Sequence, residues 1–198
     1  MPNPSAFRLL VPNIRPTTDE QSAENWRTLE DWGQRLAPTG RTLLGSKKLV
    51  TVAPSVTFAN LPQNFNHLHL LAGPKTTATP SNNIRVVFNN DTSANYYSFV
   101  IYQSNGAAPA TFSEAGATSG RFGIVSDNRW ALSQGTVLDY TSRHHKMMTF
   151  NSSCYGTNNQ TESGDLLYQN NTAITSVQFT NGGANFDLDS TFYVYGEY

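Results

Sequence analysis

The spacing of apolar residues changes once along the chain, near residue 40. Between residues 18 and 37, Trp26, Leu29, Gly33 and Leu36 recur three or four positions apart, with Trp32 flanking them, and this period predicts one helix. Thr18 with Gln21 fits a capping box. Asp19 and Glu20 suit the positive end of the helix dipole, and Pro38 and Gly40 stop the helix. The apolar stripe is narrow, close to a coiled-coil seam, and it is too short to hold a coiled coil alone. The helix therefore packs on its own domain or on sister helices, and the narrow seam favours sister helices. Residues 1–17 read as an extended arm, because Pro2, Pro4, Pro12 and Pro16 forbid regular helix there. Phe7, Leu9, Leu10, Val11 and Ile14 make the arm apolar, so it docks on its own domain or on a neighbouring subunit.

Beyond residue 41 the helical period is replaced by short β-rich runs. These are LVTV (49–52), SVTF (55–58), HLHLLAG (67–73), IRVVF (84–88) and YYSFVIY (96–102), then GRFGIV (120–125), GTVLDY (135–140) and KMMTF (146–150), and finally DLLYQ (165–169), ITSVQFT (174–180) and STFYVYG (190–196). Clusters of Gly, Asn, Ser and Pro separate them. Because YYSFVIY is apolar on both faces, it is expected at the centre of a sheet. The Ala/Gly/Ser/Thr-rich stretch 104–120 and the Asn/Ser/Thr-rich stretch 151–164 read as long exposed loops. The expected fold is mainly β: an antiparallel β-sandwich, jelly-roll or lectin-like, with a short N-terminal helix. Residues 1–40 form an arm and helix for anchoring or oligomerisation, and residues 41–198 form the sandwich.

Composition narrows the setting. Charged residues are 14% of the 198, against roughly 25% in an average soluble domain, and the net charge is −1. There is no basic stripe for nucleic acid and no apolar run long enough to insert in a membrane. The start of the sequence lacks an export signal's basic and apolar segments, which suits synthesis in a cytoplasm without export. One cysteine, Cys154, allows no intrachain disulfide. Stability must then come from packing or from a homo-oligomer, for which the helical seam and apolar arm suggest a trimer.

Candidate chemistry is sparse. In FNNDTSANYY (88–97), Asp91 and the neighbouring amides could hold calcium, but one carboxylate is few for that ion, and a hairpin with Asx-type hydrogen bonds is the stronger reading. His67 and His69 share a strand face and could form half a zinc site that nothing completes, while the adjacent His144 and His145 point apart. Glu114, Asp127, Glu162, Asp165, Asp187 and Asp189 are scattered and suggest no glycosidase pair. No nucleophile motif, P-loop or dinucleotide fingerprint occurs. The expectation is a non-enzymatic protein without cofactor or metal. Tyr155 and Trp130, with Tyr97 and Tyr168, are candidates for a glycan platform.

Three stretches resemble a family of bacteriophage virion proteins. AENWRTLEDWGQRL (23–36) resembles the N-terminal helix of tail and minor structural proteins. LPQNFNHLHLLAG…NNIRVVFNNDTSANYY (61–97) is similar to a pattern in which a strand precedes another ending in "FNGDTGxNY", with Asn90 and Ser93 standing where that pattern has Gly. ITSVQFTNGGANFDLDSTFYVYGEY (174–198) resembles the family's closing strands. The resemblance implies a β-sandwich displayed on a tail or capsid as a decoration or fibre protein. It implies other virion proteins as partners and does not imply a catalytic set; the helical seam itself makes Trp26, Leu29, Trp32 and Leu36 the candidates for anchoring or oligomerisation. Recognition of a host cell-surface glycan through the sandwich loops is the alternative function.

Overall fold

The structure is a computed structural model and describes residues 40–76, 82–127, 131–155 and 159–198. The helix expected over residues 18–37, its Trp26, Leu29, Trp32 and Leu36, and the arm before it lie outside the described residues. Those described form thirteen strands in two sheets. The larger sheet runs β1 (Arg41–Lys48), β13 (Thr191–Glu197), β3 (His67–Gly73), β9 (Ala131–Val137), β10 (Lys146–Cys154), β11 (Gln160–Tyr168), β6 (Tyr96–Ser104), β7 (Ala110–Ala117). The smaller runs β2 (Ser55–Phe58), β12 (Val177–Asn181), β5 (Asn82–Phe88), β8 (Gly120–Asp127), β4 (Lys75–Thr76). Pairing is antiparallel except between β4 and β8. The two sheets pack as the expected β-sandwich.

The core follows from the alternation of side chains along each strand. In β10, Lys146, Met148, Phe150, Ser152 and Cys154 are buried, and the residues between them are exposed. Aromatic rings join the layers. Phe122 of β8 meets Phe150 of β10 at 6.3 Å and Phe179 of β12 at 5.7 Å, and Phe179 meets Phe192 of β13 at 5.2 Å. Each such ring, fully buried, contributes about 2–3 kcal/mol.

The sheets approach closely at Gly123. Its φ of 139° suits glycine, and an added Cβ would overlap Ser133 and Ser152 of the facing sheet. There the Ile124 amide donates to Ser152 Oγ at 3.0 Å, and Ser152 Oγ lies 2.8 Å from Ser133 Oγ.

Four expectations need correction. Residues 49–52 are not a strand. The Leu49 amide bonds to Ser190 O, and the chain then leaves the large sheet for β2 in the other layer, with Val50 and Val52 exposed. The strand before this crossing is β1, whose RTLLGSKK shows little apolar alternation because it lies at a sheet edge. YYSFVIY is not central: β6 is next to the edge, and Phe99 and Ile101 face outward half-exposed. The stretches 104–120 and 151–164 are largely strand, forming β7, the end of β10 and the start of β11.

Candidate functional site

The segment 88–97 connects β5 to β6, and its polar residues build the turn. Asn89 and Asn90 both take positive φ (55°), and the Asp91 amide donates to Phe88 O at 2.9 Å, which closes a type I′ turn. Asn tolerates this left-handed geometry, as the Gly of the similar pattern does. Asp91 is the hub of the loop. Its carboxylate accepts from the Ser93 amide at 2.9 Å, Asn95 Nδ2 at 2.8 Å, Tyr168 Oη at 2.9 Å and Asn170 Nδ2 at 3.0 Å. Burial opposes ionisation, but the bonds from Asn95, Ser93, Asn170 and Tyr168 together outweigh it and hold the Asp91 carboxyl well below its usual range. These donors present hydrogens where a cation would need lone pairs, which favours the hydrogen-bonded reading over calcium. Asn89 extends the network, accepting from the Thr175 and Ser176 amides and donating to Ala173 O. Tyr168 stacks on Tyr96 at 4.8 Å and is fully buried, so it belongs to the core and not to a glycan platform.

His67 and His69 lie on the outer face of β3 and are half-buried. His67 Nδ1 accepts from the Asp139 amide, and His69 Nδ1 lies 3.2 Å from Thr136 Oγ1. Burial, then the Arg41 charge, pushes His69 down to about 4 against the opposing pull of Glu197. His144 and His145 are exposed. No group of three metal-ligating side chains occurs among the described residues.

Four of the six candidate carboxylates are engaged by bases or amides. Glu114 accepts from Arg85 at 2.5 Å. Glu162 has a fully buried side chain and is paired with Arg121, with Gln160 as a further donor. Asp187 accepts the Leu188 amide, and Asp189 lies within 4 Å of Lys48 and Lys75. Asp165 is exposed on β11. Cys154 is buried beside Ile124 and Ala131. Of the glycan candidates, Tyr155 is 63% exposed just after β10, Tyr97 sits half-buried on the outer face of β6, and Trp130 lies outside the described residues.

The outer face of the large sheet combines these elements into one surface. Strand register places Tyr193, Leu71, Gln134, Asn151, Ser163, Ile101 and Thr111 in one row across it. A parallel row runs Tyr195, His69, Thr136, Thr149, Asp165, Phe99 and Ser113. The middle of the face is thus polar, with Asp165 its one charge in these two rows, tyrosines on one side and Phe99 and Ile101 on the other. Among the described residues, the side chains of Gln134, Thr149, Asn151, Ser153, Thr161 and Ser163 make no hydrogen bond within the chain. Amides elsewhere do: Asn89, Asn95, Asn170 and Asn181 are all engaged. Where β6, β10 and β11 adjoin, the face sinks into an open groove of about 380 Å³. The sequence signal for this surface was present in the alternating polar residues of 151–163, which the loop reading obscured. No family model, no curated protein and no solved structure matches the chain.

Proposed function

We propose that this chain is a non-enzymatic structural component of a bacteriophage virion, a tail component or a capsid decoration or fibre protein. Residues 1–40 serve as the anchor, and the sandwich is displayed. The observation that carries the reading is the 88–97 connection. This is the stretch in which the sequence most specifically resembles virion proteins, and most of its polar residues have work in the turn: Asn89 and Asn90 supply the left-handed pair, Asp91 the hub, and Asn95 and Tyr96 hydrogen bonds to it. A motif spent on fixing a hairpin fits a displayed scaffold better than a catalyst. The engagement of Glu114 and Glu162 by arginines points the same way.

The test is mass spectrometry of particles purified by density gradient, followed by particles carrying the chain without residues 1–39. The full chain is expected in particles at fixed stoichiometry. The truncated chain is expected to fold with its β circular dichroism intact and to be missing from particles. Absence of the full chain from purified particles would overturn the proposal. Host attachment through a surface glycan is a second reading, favoured by the exposure of Tyr155.

A further inference from the structure

We infer that the groove on the outer face of the large sheet is a binding site for a neutral glycan, and that this face, not the Tyr155 loop, carries the recognition. The inference rests on the virion reading for the origin of the glycan, a host surface, but its chemistry stands on the groove alone. Asn151 and Ser153 of β10, Thr161 and Ser163 of β11, and Ile101 and Pro109 line the groove. Asn151, Ser153, Thr161 and Ser163 are exposed and, among the described residues, make no side-chain hydrogen bond. Each hydroxyl both donates and accepts, and the Asn amide offers two donors and an acceptor. A sugar chain presents the same mixed functions.

Register fixes their spacing. Asn151 stands opposite Ser163, and Ser153 opposite Thr161, on strands about 4.8 Å apart. Rigid strands hold these groups in place, so little side-chain order has to be gained on binding. Ile101 is 49% exposed and gives the groove an apolar wall against which the C–H face of a sugar ring can lie, and Phe99, two residues earlier on β6 and opposite Asp165, lies outside the groove lining on the same face.

Charge selects the class of ligand. Among the described residues that line the groove, the only charged one is Glu162, whose side chain is buried and paired with Arg121. A phosphate, a sulfated or uronic chain, or a basic peptide would find no counter-charge there. A neutral hydroxylated chain needs none. The Arg121–Glu162 pair instead ties β8 to β11 beneath the groove and keeps its floor rigid.

The full-length protein is to be applied to a glycan array that spans neutral, acidic and amino-sugar chains. N151A/T161A, F99A and Y155A are run beside it, and their folding is checked by thermal melting. Neutral glycans are expected to bind, with affinity little changed between low and moderate salt. N151A/T161A should lower affinity at least tenfold without moving the melting temperature, F99A should lower it less, and Y155A should leave it unchanged. No binding to any neutral glycan, a preference for acidic chains lost in salt, or loss in Y155A with N151A/T161A intact would each overturn the inference. Particle mass spectrometry separates the two failures: a chain present in virions that binds no glycan leaves the structural role standing and removes this one.

Discussion

Asp91 shows how much one side chain can organise. Four donors converge on its carboxylate, and Tyr96 Oη donates to its backbone oxygen at 3.1 Å, so the β5–β6 connection and the segment after β11 are held by one charge. In Asp91→Asn, an NH₂ group would face donors in place of an oxygen. We expect a loss of about 2–4 kcal/mol in urea unfolding, from broken charge-assisted bonds and an unmatched donor. The depressed acidity also sets a sign. The unfolded chain takes up a proton near pH 4 and the folded one only at lower pH, so this stability is present above pH 4 and is lost as the pH falls further. His69 acts in a higher window. Its folded value of about 4 lies below the ordinary 6.5, so acid favours the unfolded chain between those values. Thermal melts from pH 7 to 4.5 should therefore fall steadily. His69→Gln should flatten that decline, and an unchanged slope in the variant would show that other groups set it.

At the scale of elements, the strands that pack an apolar face were legible in the sequence. HLHLLAG matches β3 residue for residue, and SVTF matches β2. Edge and polar-faced strands were not. β7, ATFSEAGA, has one large apolar residue, Phe112, and it sets a half-buried Glu114 against Arg85 instead of a second hydrophobe. The end of β10 alternates Ser152 and Cys154 inward with Asn151 and Ser153 outward, a small-residue pattern that resembles a loop in composition. Those inward residues are small for a reason that only the second sheet reveals: β8 comes so near at Gly123 that Ser133 and Ser152 leave no room for more. The groove was illegible for the same cause, since it depends on which strands lie side by side. Gly123→Ala tests the close approach. It combines strained backbone with overlap, and we expect about 2–4 kcal/mol of destabilisation by denaturant titration. A neutral result would mean that the two layers have slack at that point.

At the scale of the whole sandwich, the described residues join the two sheets by aromatic packing and by ion pairs, of which Arg121–Glu162 is more deeply buried than Arg85–Glu114. Arg121 reaches Glu162 from the opposite layer and lies over the Phe112 ring, 5.2 Å from its centre. Arg121→Met leaves Glu162 buried without a counter-charge and should cost about 3–5 kcal/mol, while the double variant with Glu162→Met should regain most of it. If the double variant is no more stable than the single, the pair is not what the variants report. The strand order has a further consequence. β13 lies between β1 and β3, yet it is the last of the thirteen strands to be made. On the ribosome, β1 and β3 must each wait with an open edge until nearly all the sandwich has been translated, so closure of the large sheet is a late and long-range event. A nascent chain stalled before β13 would expose two unfilled ladders, making unfinished copies sticky and easy prey for proteases.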